Sequence, residues 1–186
     1  KRFNIRDTHA YGWLTLNEII RYSSNIGAAK IGMEMGAPLY HQYLVNLGFG
    51  QRTGLPMVGE SIGILRQPKQ WAEVDLAAAS FGQSFSATAL QMGEAYLTIA
   101  SGGIKRPLKL VKGYHEEEMQ ERRIFSKEAC ASVLEMLHDV VEEDGTGQRA
   151  RIPGIAVGGK TGTAQKANAG SYGSGRVSSF IGIAPL

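Results

Sequence analysis

The sequence predicts an α+β fold, with a mostly helical part at about residues 15–143 and a strand hairpin at about residues 155–185. In the first part, apolar residues recur at the spacing of amphipathic helices. In the second, two apolar runs of strand length flank a stretch rich in Gly and Ser. The chain has 186 residues, of which 43% are apolar and 20% charged, so it can bury a core without disulfides or a structural metal.

Composition also excludes several classes of function. The 20 Lys and Arg exceed the 17 Asp and Glu by a net charge of only +3, so nucleic acid is not an expected partner. A single cysteine, Cys130, and four dispersed histidines do not suggest a metal site, and no cofactor is expected. The sequence has no run of eighteen apolar residues, so no membrane span is expected in it. It begins without Met and ends directly after a strand-like run, so we expect a piece of a longer protein.

The helices have clear start and stop signals. Thr15 and Thr88 each precede a Glu or Gln by three positions, which is the spacing of a capping box, and Pro38 and Gly48 mark the ends of another helix. The predicted helices cover residues 15–22, 38–47, 88–100 and 126–143, with a weaker one at 71–79. Gly and Pro make residues 48–70 a loop, and a strand is predicted at residues 106–114.

The last part of the chain predicts two strands joined by a long loop. The strands are expected at residues 155–165 and 177–184, and the Gly-rich, Ser-rich and Asn-containing stretch 167–176 is expected to form the loop.

Ser23, Ser24 and Asn25 interrupt the apolar pattern, which resumes at Ile26. In a continuous helix the side chains of Ser23 and Asn25 would point about 200° apart, whereas in an extended turn they would face the same side. The interruption favours a turn in which both could serve one site. Alternatively, one of these residues merely caps the second helix, as Ser and Asn often do.

Residues Gly154 to Thr161 match the phosphate-binding pattern G-x-x-x-x-G-K-[ST]. Such a loop lies between an apolar strand and a helix, because the phosphate binds at the helix N-terminus. Here polar residues precede Gly154, and Gly162 and Gly170 disfavour a helix after Lys160. We therefore interpret this stretch as a strand and not as a nucleotide site.

As a strand, the same stretch places Lys160 and Gly162 on one face and Thr161 and Thr163 on the other. A cation, an open backbone and two hydroxyls along one strand suit an anionic ligand such as a carboxylate. On these residues alone, an ordinary exposed strand with one Lys is the simpler interpretation.

An S-x-N triplet followed far downstream by Lys-Thr-Gly on a strand matches two of the three motifs of penicillin-recognising serine enzymes, whose first motif is S-x-x-K. Five stretches extend the match: YSSNIGAAKIG (22–32), LGFGQRTGLPMVGE (47–60), SFGQSFSATALQMGEAYLTIASGG (80–103), GGKTGTAQK (158–166) and SSFIGIAP (178–185). Together they resemble the transpeptidase domain of class B penicillin-binding proteins. VGE at 58–60 and ILRQPKQ at 64–70 favour the cell-division type.

The resemblance implies a penicillin-binding and β-lactamase-like transpeptidase fold, of which residues 1–186 would be a part. It also implies peptidoglycan D,D-transpeptidase activity. A serine attacks the D-Ala-D-Ala carbonyl of a stem peptide, D-Ala leaves, and an amine of a neighbouring stem peptide resolves the acyl-enzyme into a cross-link. No serine of this sequence has a lysine three residues later, so the nucleophile would precede Lys1 and the chain alone would be inactive.

Carried over by motif, Ser23 would relay a proton to the leaving nitrogen, and Asn25 would hold the substrate amide and the lysine of S-x-x-K. Lys160 would tune the site and attract the substrate carboxylate. The backbone N–H of Thr163 would form half of the oxyanion hole. The implied substrate-binding residues are Thr161, Gly162 and Thr163.

The resemblance further implies an intact protein that is anchored in the cytoplasmic membrane and faces the periplasm or the cell exterior. Its partners would be stem peptides, β-lactam antibiotics, which mimic D-Ala-D-Ala, and other cell-division proteins. A fragment with an exposed strand edge could also dimerise or swap strands. A β-lactamase or β-lactam sensor of the same fold and a non-catalytic binding module remain alternatives. The chain departs from the family at Ser84, where Gly is usual, and at Ala89, where Pro is frequent.

Overall fold

A computed structural model describes residues 4–111, 121–142, 144–168 and 171–186. The elements follow in the order α1 (Leu16–Arg21), α2 (Asn25–Met35), α3 (Ala37–Leu47), α4 (Glu73–Ser80), α5 (Ala89–Ala100), β1 (Ile104–Lys105), β2 (Arg122–Arg123), α6 (Lys127–Val141), β3 (Gly158–Asn168) and β4 (Ser171–Ile183). Short 3₁₀ turns lie at Pro68–Gln70 and Gln148–Ala150. None of the helices in the described ranges combines the length and apolar character needed to cross a bilayer.

The chain forms two compact units, each assembled from separate segments. Unit 1 consists of residues 1–34, 73–84 and 135–186, and unit 2 consists of residues 35–72 and 85–134. All residues that the sequence predicts as site residues belong to unit 1.

The predicted helix ends are confirmed at both capping boxes. The Thr15 hydroxyl accepts from the Glu18 N–H at 3.3 Å and the Glu18 carboxylate accepts from the Thr15 N–H at 2.7 Å, and Thr88 and Gln91 repeat the arrangement before α5. Gly48 ends α3 in the left-handed conformation, with φ of +105°. The helix predicted at 126–143 is α6, with residue 143 outside the described residues.

Two strand predictions are wrong in part. No strand forms at residues 106–111, because the pairing is instead made by Ile104 and Lys105 with Arg123 and Arg122, and residues 112–114 lie outside the described part. The predicted loop at 167–176 is also wrong, because the ladder continues to the pair of Asn168 with Ser171. Backbone pairing here overrides the low strand propensity of Gly, Ser and Asn, and residues 169–170 lie outside the described part.

The packing of α6 and β3 fixes the start of the hairpin in unit 1. The Val157 carbonyl accepts from Nδ1 of His138 at 2.9 Å, and a Cβ added to Gly158 would lie 3.3 Å from Leu137 Cβ. β3 begins at Gly158, three residues later than predicted, because Ile155 bridges back to Ile152 across a short turn. The antiparallel pairing of β3 with β4 places Lys160 opposite Ile181 and Thr161 opposite Phe180.

In unit 2 a fully buried amide anchors the predicted loop at 48–70. Gln91 donates through Nε2 to the carbonyl oxygens of Gln51 at 2.7 Å and Ile62 at 3.0 Å. The nearby core contains Leu44, Phe49 and Ala95. The loop therefore has a defined path despite its Gly and Pro content.

Candidate active site

The Ser23 turn, residues 22–25, joins α1 to α2 and is not part of a continuous helix. Ser23 has a φ of +58°. The Ser23 N–H donates to the Ile20 carbonyl and the Ser24 N–H donates to the Ile19 carbonyl, the bonding of a Schellman helix end. Glycine usually occupies the left-handed position of that motif. An exposed serine is unusual there, which suggests that its hydroxyl has a function.

The capping function in this turn belongs to Ser24. Its hydroxyl oxygen accepts from the Gly27 N–H at 2.9 Å, and its O–H donates to Asp7 Oδ2 at 2.8 Å. Ser24 is buried, whereas Ser23 is exposed. The alternative that a residue of the triplet caps the second helix is thus confirmed for Ser24, which leaves the Ser23 side chain available for another contact.

Lys160 of β3 makes that contact. Its Nζ donates to Ser23 Oγ at 2.8 Å and to the Thr161 carbonyl at 3.1 Å, although Ser23 and Lys160 are 137 residues apart in sequence. Burial of the amine lowers the pKa of Lys160 to about 8. Two of the predicted catalytic residues therefore meet in one hydrogen bond.

Asn25 is held by a different part of unit 1. As the first residue of α2, it donates through Nδ2 to the Arg6 carbonyl at 3.0 Å. Among the described residues, Ser23 rather than Asn25 has the hydrogen bond with Lys160. The Asn25 side-chain oxygen keeps its capacity to accept.

The predicted substrate-binding residues follow Lys160 along β3, where the backbone is extended. This confirms the strand interpretation and excludes a phosphate-binding loop, which would be followed by a helix. Thr161 donates through Oγ1 to Thr146 Oγ1 at 2.9 Å, and Thr163 is exposed. A Cβ on Gly162 would lie 2.7 Å from Ser179 Oγ on β4. A side chain at position 162 would therefore require the Ser179 hydroxyl to move.

Sequence reasoning missed three residues that contact the predicted site or its turn, namely Thr146, Asp7 and Arg6. Thr146 is exposed between two buried glycines, and a Cβ on the first, Gly145, would overlap the Val140 carbonyl oxygen. This Gly-Thr-Gly pattern after a helix could have indicated a tightly packed turn. Asp7 has no such signal, because its contact with the Ser23 turn is made across sixteen intervening residues.

The arrangement has the chemistry for binding an anion and moving a proton. A partly buried ammonium and the Thr163 hydroxyl supply donors to a carboxylate, and Thr161 supplies another when Thr146 becomes the donor in their hydroxyl pair. Because Lys160 donates to Ser23 Oγ, the Ser23 O–H is directed toward another acceptor.

Comparison with known proteins gives one consistent result. A family model described as the penicillin-binding protein transpeptidase domain matches residues 1–186. The chain is 35% identical over 182 residues to a probable peptidoglycan D,D-transpeptidase PenA of Neisseria gonorrhoeae, a match that covers 97% of this chain and 31% of that protein.

Solved structures agree with the sequence comparison. The apo transpeptidase domain of Burkholderia pseudomallei penicillin-binding protein 3 superposes with a TM-score of 0.91 at 35% identity, over 97% of this chain and 55% of that one. Mycobacterium tuberculosis penicillin-binding protein 3 complexed with ampicillin gives 0.90 at 33% identity, over 97% and 44%. The chain thus spans about a third of the length of the curated relative it matches.

Proposed function

Since the chain belongs to the penicillin-binding protein transpeptidase family, we propose that it is part of a peptidoglycan D,D-transpeptidase of the cell-division type whose nucleophilic serine lies elsewhere in the intact protein. Its α+β fold is that of these transpeptidase domains. The observation that carries the proposal is the 2.8 Å hydrogen bond from Lys160 Nζ to Ser23 Oγ, because it joins the two motifs that the family reaction uses.

The strand residues would bind the carboxylate of the substrate. D-Ala-D-Ala ends in a carboxylate, and a charged Lys160 with the hydroxyls of Thr161 and Thr163 offers one cation and two donors to it. Gly162 lies on the strand face opposite the two threonines and leaves the Lys160 side of β3 without a side chain. The Thr163 N–H would then donate to the oxyanion that develops on the attacked carbonyl.

The Ser23 turn would supply a proton to the leaving group. When the carbonyl–nitrogen bond breaks, the departing D-Ala nitrogen needs a proton, and the Ser23 O–H can donate it. Lys160 is already hydrogen-bonded to Ser23 Oγ, so its proton can replace the one that Ser23 gives up. A pKa of about 8 eases this donation relative to an ordinary lysine. Asn25 Oδ1 would accept from the substrate amide.

β-Lactam antibiotics would acylate the same nucleophile, since they present a carboxylate and a reactive amide in a similar arrangement. The intact protein would face the periplasm or the cell exterior from a membrane anchor, where stem peptides are found. Other cell-division proteins would be its partners there.

Acylation of the full-length protein by a fluorescent penicillin tests the proposal. We expect the wild-type protein to carry one covalent label and to release D-Ala from a synthetic D-Ala-D-Ala peptide. Lys160→Ala should slow labelling by roughly 10²-fold or more, the usual size of a lost proton-transfer group. Lys166→Ala is the matched control, because Lys166 lies on the same strand and is exposed. Absence of wild-type labelling, or equal labelling of Lys160→Ala, would reject the proposed function.

A further inference from the structure

The strand face that carries the two threonines continues beyond them along the hairpin. On β3, Gln165 follows Thr161 and Thr163 at the same two-residue spacing, so the three side chains lie on one face. The β4 partner of Thr163 is Ser178, and the partner of Gln165 is Arg176. Side chains directly opposite each other in an antiparallel pair share a face. Three exposed residues therefore extend the threonine face, and we call them the distal patch: Gln165, Arg176 and Ser178.

The end of the chain that forms the hairpin carries positive charge only. Residues 145–186 contain five cations and no carboxylate side chain. The five cations are Arg149, Arg151, Lys160, Lys166 and Arg176. Arg151 is paired with Glu142 at 3.3 Å, and Lys160 is bonded to Ser23. An anionic ligand on the hairpin is therefore attracted by its cations and is not repelled by a carboxylate of the same segment.

The two exposed cations of the hairpin lie on opposite faces. A Cβ on Gly175 would lie 3.4 Å from Lys166 Cδ, so Lys166 packs over Gly175. Arg176 follows Gly175 directly and points to the other face, which is the threonine face. The Arg176 guanidinium forms no hydrogen bond or ion pair with a residue that the structure describes. Its two parallel N–H groups are therefore available to a carboxylate.

The direction of the substrate in the proposed reaction leads toward the distal patch. The terminal carboxylate would be bound by Thr161 and Thr163, and the attacked carbonyl, one residue earlier in the peptide, would lie at the Thr163 N–H. The peptide would then run along β3 from Thr163 toward Gln165. An extended peptide advances by about 3.3 Å per residue, so the first or second residue before D-Ala-D-Ala would be level with Gln165 and Arg176.

We propose that the distal patch is a second anion subsite, in which Arg176 binds a carboxylate that the stem peptide carries one or two residues before D-Ala-D-Ala. The inference rests on the proposed function and narrows its substrate class to stem peptides with this second carboxylate. Gln165 and Ser178 supply further donors. An amide in place of the carboxylate has one acceptor oxygen and no charge, so it binds Arg176 more weakly. Arg176 is thus a specificity residue that does not touch the reacting atoms.

The test compares peptides that differ by one charge, with the full-length protein as the enzyme. Each synthetic peptide is N-acetylated and ends in D-Ala-D-Ala, and the members of a pair have Glu or Gln at the first or at the second position before it. Release of D-Ala gives kcat/KM, and the ratio within a pair does not depend on the fraction of active protein. We expect the wild-type protein to favour the Glu member of at least one pair by roughly 2- to 5-fold, the effect of an exposed ion pair.

Substitutions on the two faces of the hairpin separate the subsite from general charge. Arg176→Gln should bring the Glu to Gln ratio to about one. Arg176→Lys should keep a smaller preference for Glu, because the charge remains and the planar fork is lost. Lys166→Gln is the matched control, since it removes the same charge from the opposite face and should keep the wild-type ratio.

Equal kcat/KM within both pairs for the wild-type protein overturns the inference. An Arg176→Gln protein that keeps the wild-type ratio also overturns it, as does a Lys166→Gln protein that loses the preference equally. If Arg176→Gln does not fold, a wild-type ratio that stays the same between about 0.05 and about 1 M salt overturns the inference, because salt screens an exposed ion pair. Failure of the wild-type protein to release D-Ala from any of the peptides would instead reject the proposed function itself.

Discussion

At the residue scale, Lys160 combines partial burial with a hydrogen bond to a hydroxyl. Burial disfavours the charged amine and brings the pKa of Lys160 to about 8, while the bonds to Ser23 and to the Thr161 carbonyl orient its protons. At neutral pH the amine is still mostly charged, so it can attract a carboxylate. It is also close enough to its pKa to give up a proton, which an ordinary exposed lysine is not.

This titration predicts an alkaline limb in the pH dependence of acylation. Below pH 8 Lys160 is charged, and above pH 8 it becomes neutral and loses its attraction for the substrate carboxylate. We therefore expect the second-order rate constant of acylation by penicillin to decline as the pH rises through about 8. Lys160→Arg should lack the limb whatever its absolute rate, because guanidinium stays charged. Lys166→Arg should retain it, and a limb that persists in Lys160→Arg would assign the titration to another group.

Ser23 and Ser84 show what a single sequence can and cannot indicate about strained residues. Both have positive φ, +58° and +67°, in the region that favours glycine. The resemblance implies Gly at the position of Ser84, and the left-handed backbone there gives a physical reason for it. The contact of Ser23 with Lys160 could not be predicted from spacing, because it depends on how segments 137 residues apart are folded together.

At the element scale, the hairpin that carries the site depends on close approach at its glycines. A Cβ on Gly159 would overlap Phe180 Cζ and lie 2.8 Å from the Ile181 carbonyl oxygen of β4. Gly93 also lies inside a regular element, α5, yet a Cβ there meets nothing within 4 Å. Glycine is therefore required for close packing in β3, whereas in α5 it only lowers the stability of the helix.

Alanine substitution should separate these two glycines. Gly159→Ala should lower the free energy of unfolding by about 1–3 kcal/mol through overpacking. Gly93→Ala should raise it by about 0.5–1 kcal/mol, because alanine loses less conformational entropy in a helix. Urea unfolding of both variants measures the difference. Equal effects of the two substitutions would mean that the β3 backbone relaxes away from Phe180.

Local sequence signals predicted the helix ends well. They predicted the strands poorly, because strand pairing determines where a strand begins and ends. Thr15, Thr88 and Gly48 fix helix ends through bonds to their own helices, so the sequence is sufficient there. The stretch 167–176 has the composition of a loop, but its backbone pairs across the hairpin. Strand length is set by the partner strand, which composition does not reveal.

At the scale of the whole molecule, the candidate site is assembled from distant segments of unit 1. The Ser23 turn comes from residues 1–34, and β3 comes from residues 135–186, with unit 2 segments between them in sequence. The family motifs indicate which residues form the site, but the contacts that join its segments are long-range. Besides the bond of Ser23 with Lys160, Asn17 on α1 donates through Nδ2 to Asp139 Oδ2 on α6 at 2.6 Å.

A double-mutant cycle on Asn17 and Asp139 tests whether this tie stabilises the assembly. The two residues are 122 positions apart and part-buried, and a hydrogen bond to a charged acceptor contributes more than a neutral one. We expect Asn17→Ala and Asp139→Ala to be non-additive in the free energy of unfolding by about 1–2 kcal/mol. Asn17→Ala combined with Glu135→Ala, an exposed residue one turn earlier on α6, should be additive within about 0.5 kcal/mol. Additivity in both cycles would mean that the bond between α1 and α6 contributes nothing measurable. The segments would then be held together by the contact of Ser23 with Lys160 and by the apolar core.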